Sequence, residues 1–333
     1  MTLIQKLKQK RVEELNLSEK RSEPDQGNLA NLDGAEQQTD QRETRTLWGD
    51  AFRRLRRNYL AMIALVWILV VIGAALSADL WVPQTFGDPR AIDTATALTT
   101  RLQPPSAAHP FGTDDMGRDM FGRIIYGARV SLTVGVFSTV LTFVIGIVFG
   151  SIAGYAGKWT DTLIMRVTDI FLAFPYVLLA VFMMSVLPSE LKGVWTVVGV
   201  IAVLGWSSFA RLFRSSVLSV KENDYVAAGR ALGASTWRLM FKHILPNAIA
   251  PALVVATMSV GETILTESAL SFLGLGIQPP QISWGRMIDD GRRFLTNQPQ
   301  LVLYPGLAIL LTVLAFMLLG DGVRDAIDVK MKD

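Results

Sequence analysis

The sequence predicts an all-α polytopic membrane protein, and three observations predict it. Half of the 333 residues are hydrophobic, and only 18% are charged, where a soluble chain is about a quarter charged. Mean hydropathy is +0.35. The shortfall of charge is concentrated in six uncharged runs, at 59–78, 130–157, 170–189, 193–210, 244–261 and 294–320. Each is about 18 residues or longer, enough to cross ~30 Å of hydrocarbon as a helix. Buried core helices of one soluble protein would not supply six such runs.

The elements follow in order. Residues 1–45 are rich in Gln, Glu, Asp, Asn and Lys and poor in aromatics, which predicts a disordered tail. Its start, MTLIQKLKQKRVEEL, lacks an apolar core of signal-peptide length, so no cleavage is expected. At 46–58 the pattern changes. Leu47, Trp48, Ala51, Phe52 and Leu55 repeat at helical spacing opposite Arg53, Arg54, Arg56 and Arg57. That predicts an amphipathic helix lying in the membrane interface, with its arginines against lipid headgroups.

From 59 to 333 the chain reads as one transmembrane domain with a polar loop at 219–246. Gly146, Gly150 and Gly154 form a doubled small-xxx-small stripe, which lets a neighbouring helix approach backbone to backbone. Pro175, Pro251 and Pro305 predict kinks. Glu262 and Glu267 lie toward the outer end of the fifth span. Acids at membrane depth are costly and face a cavity or a partner, which marks both for a pathway or gate, with helix packing the competing reading for Glu267.

Basic residues set the orientation. Six lie within 42–57, against the first run, and six within 211–242. Both segments are therefore expected on the cytoplasmic side, with both termini. Segments 79–129, 188–192 and 276–293 are expected outside.

Much chemistry is absent. There is no cysteine, hence no disulfide framework and no thiolate metal site. No G-x-x-x-x-G-K-[ST] occurs, so the chain has no phosphate loop of its own. With two histidines, His109 and His243, and neither H-E-x-x-H nor G-x-S-x-G, no metal or serine hydrolase site is predicted. A pI near 9.1 fits basic loops against anionic lipid, and nothing resembles a nucleic-acid module. No catalytic residue, cofactor or metal is expected.

The polar loop holds DYVAAGRALGASTWRLMFKHILPN, residues 224–247. Residues 226–232 suit a short helix that Gly233 stops. Ser235 or Thr236 caps a second helix, on which Trp237, Met240, Phe241 and Ile244 fall at i, i+3, i+4 and i+7. Pro246 then opens the next span, where a missing N–H costs little. An amphipathic helix at the mouth of a transmembrane helix suits a groove on another protein.

This stretch resembles the coupling loop of bacterial ABC-importer permeases, E-A-A-x3-G-x9-I-x-L-P. Ala227, Ala228 and Gly229 stand at the E-A-A positions, Gly233 at the glycine, His243 at the isoleucine, and Leu245 and Pro246 at the closing pair. Three further blocks, HPFGTDDMGRDMFGRIIYGARVSL (109–132), ESALSFLGLGIQPP (267–280) with SWG (283–285), and LGDGVRDAID (319–328), are similar to the second, C-type permease subunit of dipeptide/oligopeptide importers. The likeness runs from about residue 46 to the end. It implies the six-helix type I importer fold in the bacterial cytoplasmic membrane and a heterodimer with a second permease. It also implies two ATP-binding subunits that hold ATP and Mg, and an extracytoplasmic peptide-binding protein. Ala227, Ala228, Gly229, Gly233, Trp237, Met240, Phe241, His243, Leu245 and Pro246 would then form the face that couples to the ATPase. Rivals are a relative importing nickel or sugar-like ligands, an ion-coupled secondary transporter, and an intramembrane enzyme.

Overall fold

A computed structural model describes residues 47–90 and 97–327 of the chain. The tail expected at 1–45 and Asp328, the last residue of the C-terminal block, lie outside them. Among the described residues the named elements are helices. Helix α1, Leu47–Arg57, occupies the stretch where the interfacial helix is expected. Asn58 then caps α2, Tyr59–Phe86, by accepting from Ala61 N at 3.2 Å. After the single turn α3, Ala97–Thr100, come α4, Met120–Ala156, α5, Lys158–Leu172, and α6, Tyr176–Val186. The chain continues through α7, Val194–Lys221, to the polar loop, α8, Asp224–Ala231, and α9, Thr236–Leu239. It ends with α10, Leu245–Phe272, α11, Trp284–Gly291, and α12, Gln300–Ile327.

Among the described residues, five helices are long and apolar enough to cross a membrane, and a sixth span is counted if α5 and α6 are taken as one. That pair corrects the third uncharged run, 170–189, which is not one straight helix. Its halves meet at 81°, across Ala173, Phe174 and Pro175. Proline has no N–H to give and forces its predecessor out of the helical region, so the kink predicted at Pro175 is a break. Pro251 and Pro305 lie inside α10 and α12, which continue through them.

Several helices also outrun their uncharged cores, because charged residues that ended the runs are paired. Asp79, just past the first run, accepts from the Tyr126 hydroxyl at 2.6 Å and from Arg129 at 2.9 Å. Asp119 caps α4 eleven residues before the apolar run begins, accepting from Gly122 N at 2.7 Å. Beyond residue 210, α7 keeps going while Arg211 reaches Asp169 at 2.6 Å and Arg214 reaches Asp161 at 2.5 Å. Both ends of the expected outer segment 79–129 are therefore helix.

The glycine stripe explains how closely α4 and α7 pack. Along α4, Gly146 faces Phe209 and Ala210 of α7; a Cβ on Gly150 would stand 2.6 Å from Ala210 O, and one on Gly154 2.9 Å from Val217. Any side chain there would separate the two backbones.

Candidate functional site

The polar loop is built as an anchored projection. Asn223 precedes α8, and Val226, wholly buried, is the one residue of α8 sunk into the bundle. The helix ends in a Schellman stop: Ala234 N donates to Gly229 O at 3.1 Å and Gly233 N to Arg230 O at 3.0 Å, satisfying carbonyls the helix end would orphan. Gly233 has φ +80°, with open space where a Cβ would point. Glycine is required there by backbone conformation and not by crowding.

Ser235 then caps α9, accepting from Arg238 N at 3.4 Å. Residues Met240–Ile244 form a π turn that runs without interruption into α10, so Thr236–Phe272 is one 37-residue rod. The π turn corrects the sequence reading of this helix. The predicted single stripe of Trp237, Met240, Phe241 and Ile244 assumes an α-helical register. In the structure Leu239 and Ile244 are buried against Phe213, Val217 and Val226, with Met240 packed beside them. Trp237 and Phe241 point away, 72% and 55% exposed, their rings stacked at 5.3 Å and 9°.

The remaining loop residues divide accordingly. Ala227 and Ala228 are exposed, whereas Gly229 is half-buried, and a Cβ on it would meet Leu239 Cδ2 at 3.1 Å. The small residue at 229 thus lets the two loop helices touch. His243 and Leu245 are half-buried and Pro246 is exposed. Sequence reasoning missed Val226 and Leu239, which with Ile244 anchor the projection. Leu239 falls off the i, i+3, i+4, i+7 stripe counted from Trp237, and the helix holding Val226 is too short to show a period.

Toward the other end of α10 the two glutamates part company. Glu267 is fully buried and accepts from Ser131 of α4 at 3.1 Å and Ser271 at 2.6 Å. Ser131 Oγ also receives Trp284 N at 3.2 Å, and Ser271 Oγ receives Ile277 N at 3.1 Å. Glu267 therefore ties α4, α10 and the start of α11 together. Glu262 lines a cleft of about 380 Å³ at the α5–α6 break, together with Thr142, Tyr176, Ser208, Ser259 and Thr266.

Beyond Glu267 lies a charged cap that sequence reasoning did not single out. Arg123, 3% exposed, pairs with Asp114 and, at 3.1 Å, with Asp290. Asp114 also binds Arg118 at 2.8 Å, and Asp290 binds Arg286 at 3.1 Å. His109 Nδ1 lies 2.9 Å from Asp119. Asp114, Arg118, Asp119 and Arg123 lie within the 109–132 block and Arg286 and Asp290 just after 283–285, but partners 167 positions apart leave no local pattern. The described residues contain no group of three or more His, Cys, Asp or Glu placed to hold a metal ion.

Comparison with known proteins agrees with this architecture. Residues 146–333 match the family described as binding-protein-dependent transport system inner membrane component. Residues 46–105 match the N-terminal transmembrane domain of oligopeptide transport permease C. The chain is 44% identical to the dipeptide transport system permease protein DppC of Alkalihalophilus pseudofirmus, over 86% of this chain and 90% of the relative. It is 42% identical to the oligopeptide transport system permease protein OppC of Bacillus subtilis, over 86% and 91%. Against the glutathione transport system permease protein GsiD of Pectobacterium atrosepticum the figures are 39%, 87% and 94%. An inward-facing structure of the MetNI methionine ABC transporter shares the fold, with TM-score 0.52 and 18% identity over 62% of this chain and 97% of that one.

Proposed function

The chain belongs to the binding-protein-dependent transport system inner membrane components, and from that premise we propose that it is one of two permease subunits importing di- or oligopeptides at the expense of ATP hydrolysed by partner subunits. Membership sets aside an ion-coupled carrier of another family. The relatives named for dipeptide, oligopeptide and glutathione transport support a peptide cargo over nickel or sugar-like ligands.

The observation that carries the coupling role is the division of the polar loop. Its inner residues, Val226, Leu239 and Ile244, are buried in the bundle, while Trp237 and Phe241 are stacked and exposed. Stacked aromatics presented on a firmly held helix suit a groove on another protein. Ala227 and Ala228, small and exposed, permit close approach beside them. In this reading Trp237, Phe241 and the alanines seat in an ATPase subunit, while Gly229, Gly233, Met240, His243, Leu245 and Pro246 set the aim of the projection. ATP and Mg are held by two such subunits, a second permease completes the pathway, and a peptide-binding protein delivers cargo. The loop and both termini lie on the cytoplasmic side of the bacterial inner membrane.

Two variants test it in the assembled complex. Valine at Gly233 would have to hold φ near +80°, costing about 1–3 kcal/mol or rotating the second loop helix. Leucine at Ala228 would stand between the loop and its partner. Both Gly233→Val and Ala228→Leu are expected to insert normally, yet lose uptake and lose ATPase stimulation by loaded binding protein. Normal coupling in both would show that the loop merely links two helices.

A further inference from the structure

Two carboxylates five residues apart on α10 have opposite surroundings. At about 100° per residue they point roughly 140° apart around the helix. Glu267 is consumed by the serines that hold the packing together. Glu262 is exposed to its cleft, and no salt bridge or side-chain hydrogen bond joins its carboxylate to another described residue. Among the described residues lining the cleft it is the only charged one. An acid on a transmembrane helix without a structural partner is costly to keep, and such residues mark the route of a ligand.

The cleft around it is shaped for a polar guest. Hydroxyls of Thr142, Ser208, Ser259 and Thr266 and the rings of Phe171 and Phe174 share its wall. Phe171, Leu172, Phe174 and Tyr176, around the 81° break between α5 and α6, form part of its wall, and irregular backbone at membrane depth is tolerated where it lines a cavity. Glu262 is 17 residues past Leu245, about 26 Å along the rod, and ten residues before Phe272, about 15 Å from that end.

We propose that Glu262 is the receptor for an ammonium group of the cargo, with the protonated amino terminus, present on every unblocked peptide, as its natural source. This rests on the reading of the chain as a peptide-importing permease. A charge-assisted hydrogen bond from N⁺–H to carboxylate is about twice as strong as a neutral one, and reduced dielectric strengthens it. The surrounding hydroxyls accept or donate to the peptide backbone, so the site reads charge and not side-chain identity.

The test compares wild type with Glu262→Gln and Glu262→Asp in reconstituted complexes carrying one and the same binding protein. Uptake is measured for trialanine, N-acetyl-trialanine and an N-acetylated tripeptide with one lysine. Glutamine keeps the shape of the side chain and breaks no bond within the chain. It is expected to slow uptake of trialanine about tenfold, roughly one charge-assisted contact, with ATPase stimulation by loaded binding protein retained. Aspartate is expected to restore most of the rate. N-acetyl-trialanine should differ less than twofold between wild type and Glu262→Gln. Slower uptake of the lysyl peptide by that variant would extend the site to side-chain ammonium groups, and unchanged uptake would restrict it to the amino terminus. Equal losses for free and blocked trialanine, or no loss for the free peptide, overturn the proposal and leave the importer reading standing. A wild-type complex that hydrolyses ATP with loaded binding protein but imports no peptide overturns both.

Discussion

The two polar regions at opposite ends of α10 are held by opposite physics. The loop at 224–247 is fixed by three buried apolar side chains, Val226, Leu239 and Ile244, and directs its aromatics outward. The cap formed by residues 109–123 and α11 is fixed by charges directed at one another, with Arg123 enclosed between Asp114 and Asp290. An apolar anchor restrains a segment without using its polar groups, so the rest of the surface stays available for a partner. A buried ion network uses the charges up. The difference teaches that the loop is built to present a surface and the cap to hold a shape.

The largest expected effect breaks the cap. Removing one member of a buried ion pair leaves the others uncompensated, at about 3–5 kcal/mol. Arg123→Ala should therefore lower the thermal midpoint of the detergent-solubilised protein sharply. Arg123→Met together with Asp114→Leu and Asp290→Leu should recover much of the loss, because it removes the stranded charges as well. If the single variant melts like wild type, the cap is not held by its charges.

A smaller stability effect with a large functional one sharpens the other half. Trp237→Ala and Phe241→Ala remove exposed rings, and exposed substitutions usually change stability by no more than ~0.5 kcal/mol. Both should melt within a degree or two of wild type yet reduce ATPase recruitment tenfold or more, as expected when a central aromatic anchor worth about 2 kcal/mol is lost. Leu239→Ala, by contrast, empties a buried site at about 2–5 kcal/mol. A stability loss in the ring variants as large as in Leu239→Ala would erase the distinction.

The smallest effect is a pH dependence. Burial, and then the neighbouring Asp114 carboxylate, holds the Asp115 carboxyl above its ordinary value. The folded cap thus binds that proton more tightly than the unfolded chain, and stability falls as pH rises from about the ordinary carboxylate range through the raised value. Asp115→Asn should be slightly more stable than wild type at neutral pH, by less than about 1 kcal/mol because solvent screens a part-exposed group. The gain should vanish at pH below 3.8. A gain that persists unchanged in acid would place its cause elsewhere.

Much of this architecture is legible in the sequence, and what is not has physical reasons. Six apolar runs foretell the helices, since length and hydropathy are local properties. The glycine stripe foretells a close helix pair, though not that α7 is its neighbour. Helix ends were harder: Asp79, Arg211 and Arg214 look like the limits of a span, and only their distant partners let the helices continue. Pro175 announces a disturbance but not an angle of 81°. In the loop, the stop at Gly233 and the cap at Ser235 are written in single residues and their φ preferences. The π turn is not, because an i, i+3, i+4, i+7 count presupposes the register that it alters. Neither Glu267 nor Arg123 reveals its role alone, since Ser131 and Asp290 lie 136 and 167 positions away.

The unbroken rod Thr236–Phe272 has a mechanical consequence. Trp237 and Glu267 are 30 residues apart, about 45 Å of continuous helix. Helix α10 is then a drive shaft with a handle at one end and a bearing at the other, and Glu262 rides on its barrel. The bearing is stiff, because Glu267 is hydrogen-bonded to two serines. The handle meets the shaft at the π turn Met240–Ile244, a rare geometry found mostly as single turns at functional sites. With Ile244 of that turn buried in the bundle, handle and shaft are held in line where they join.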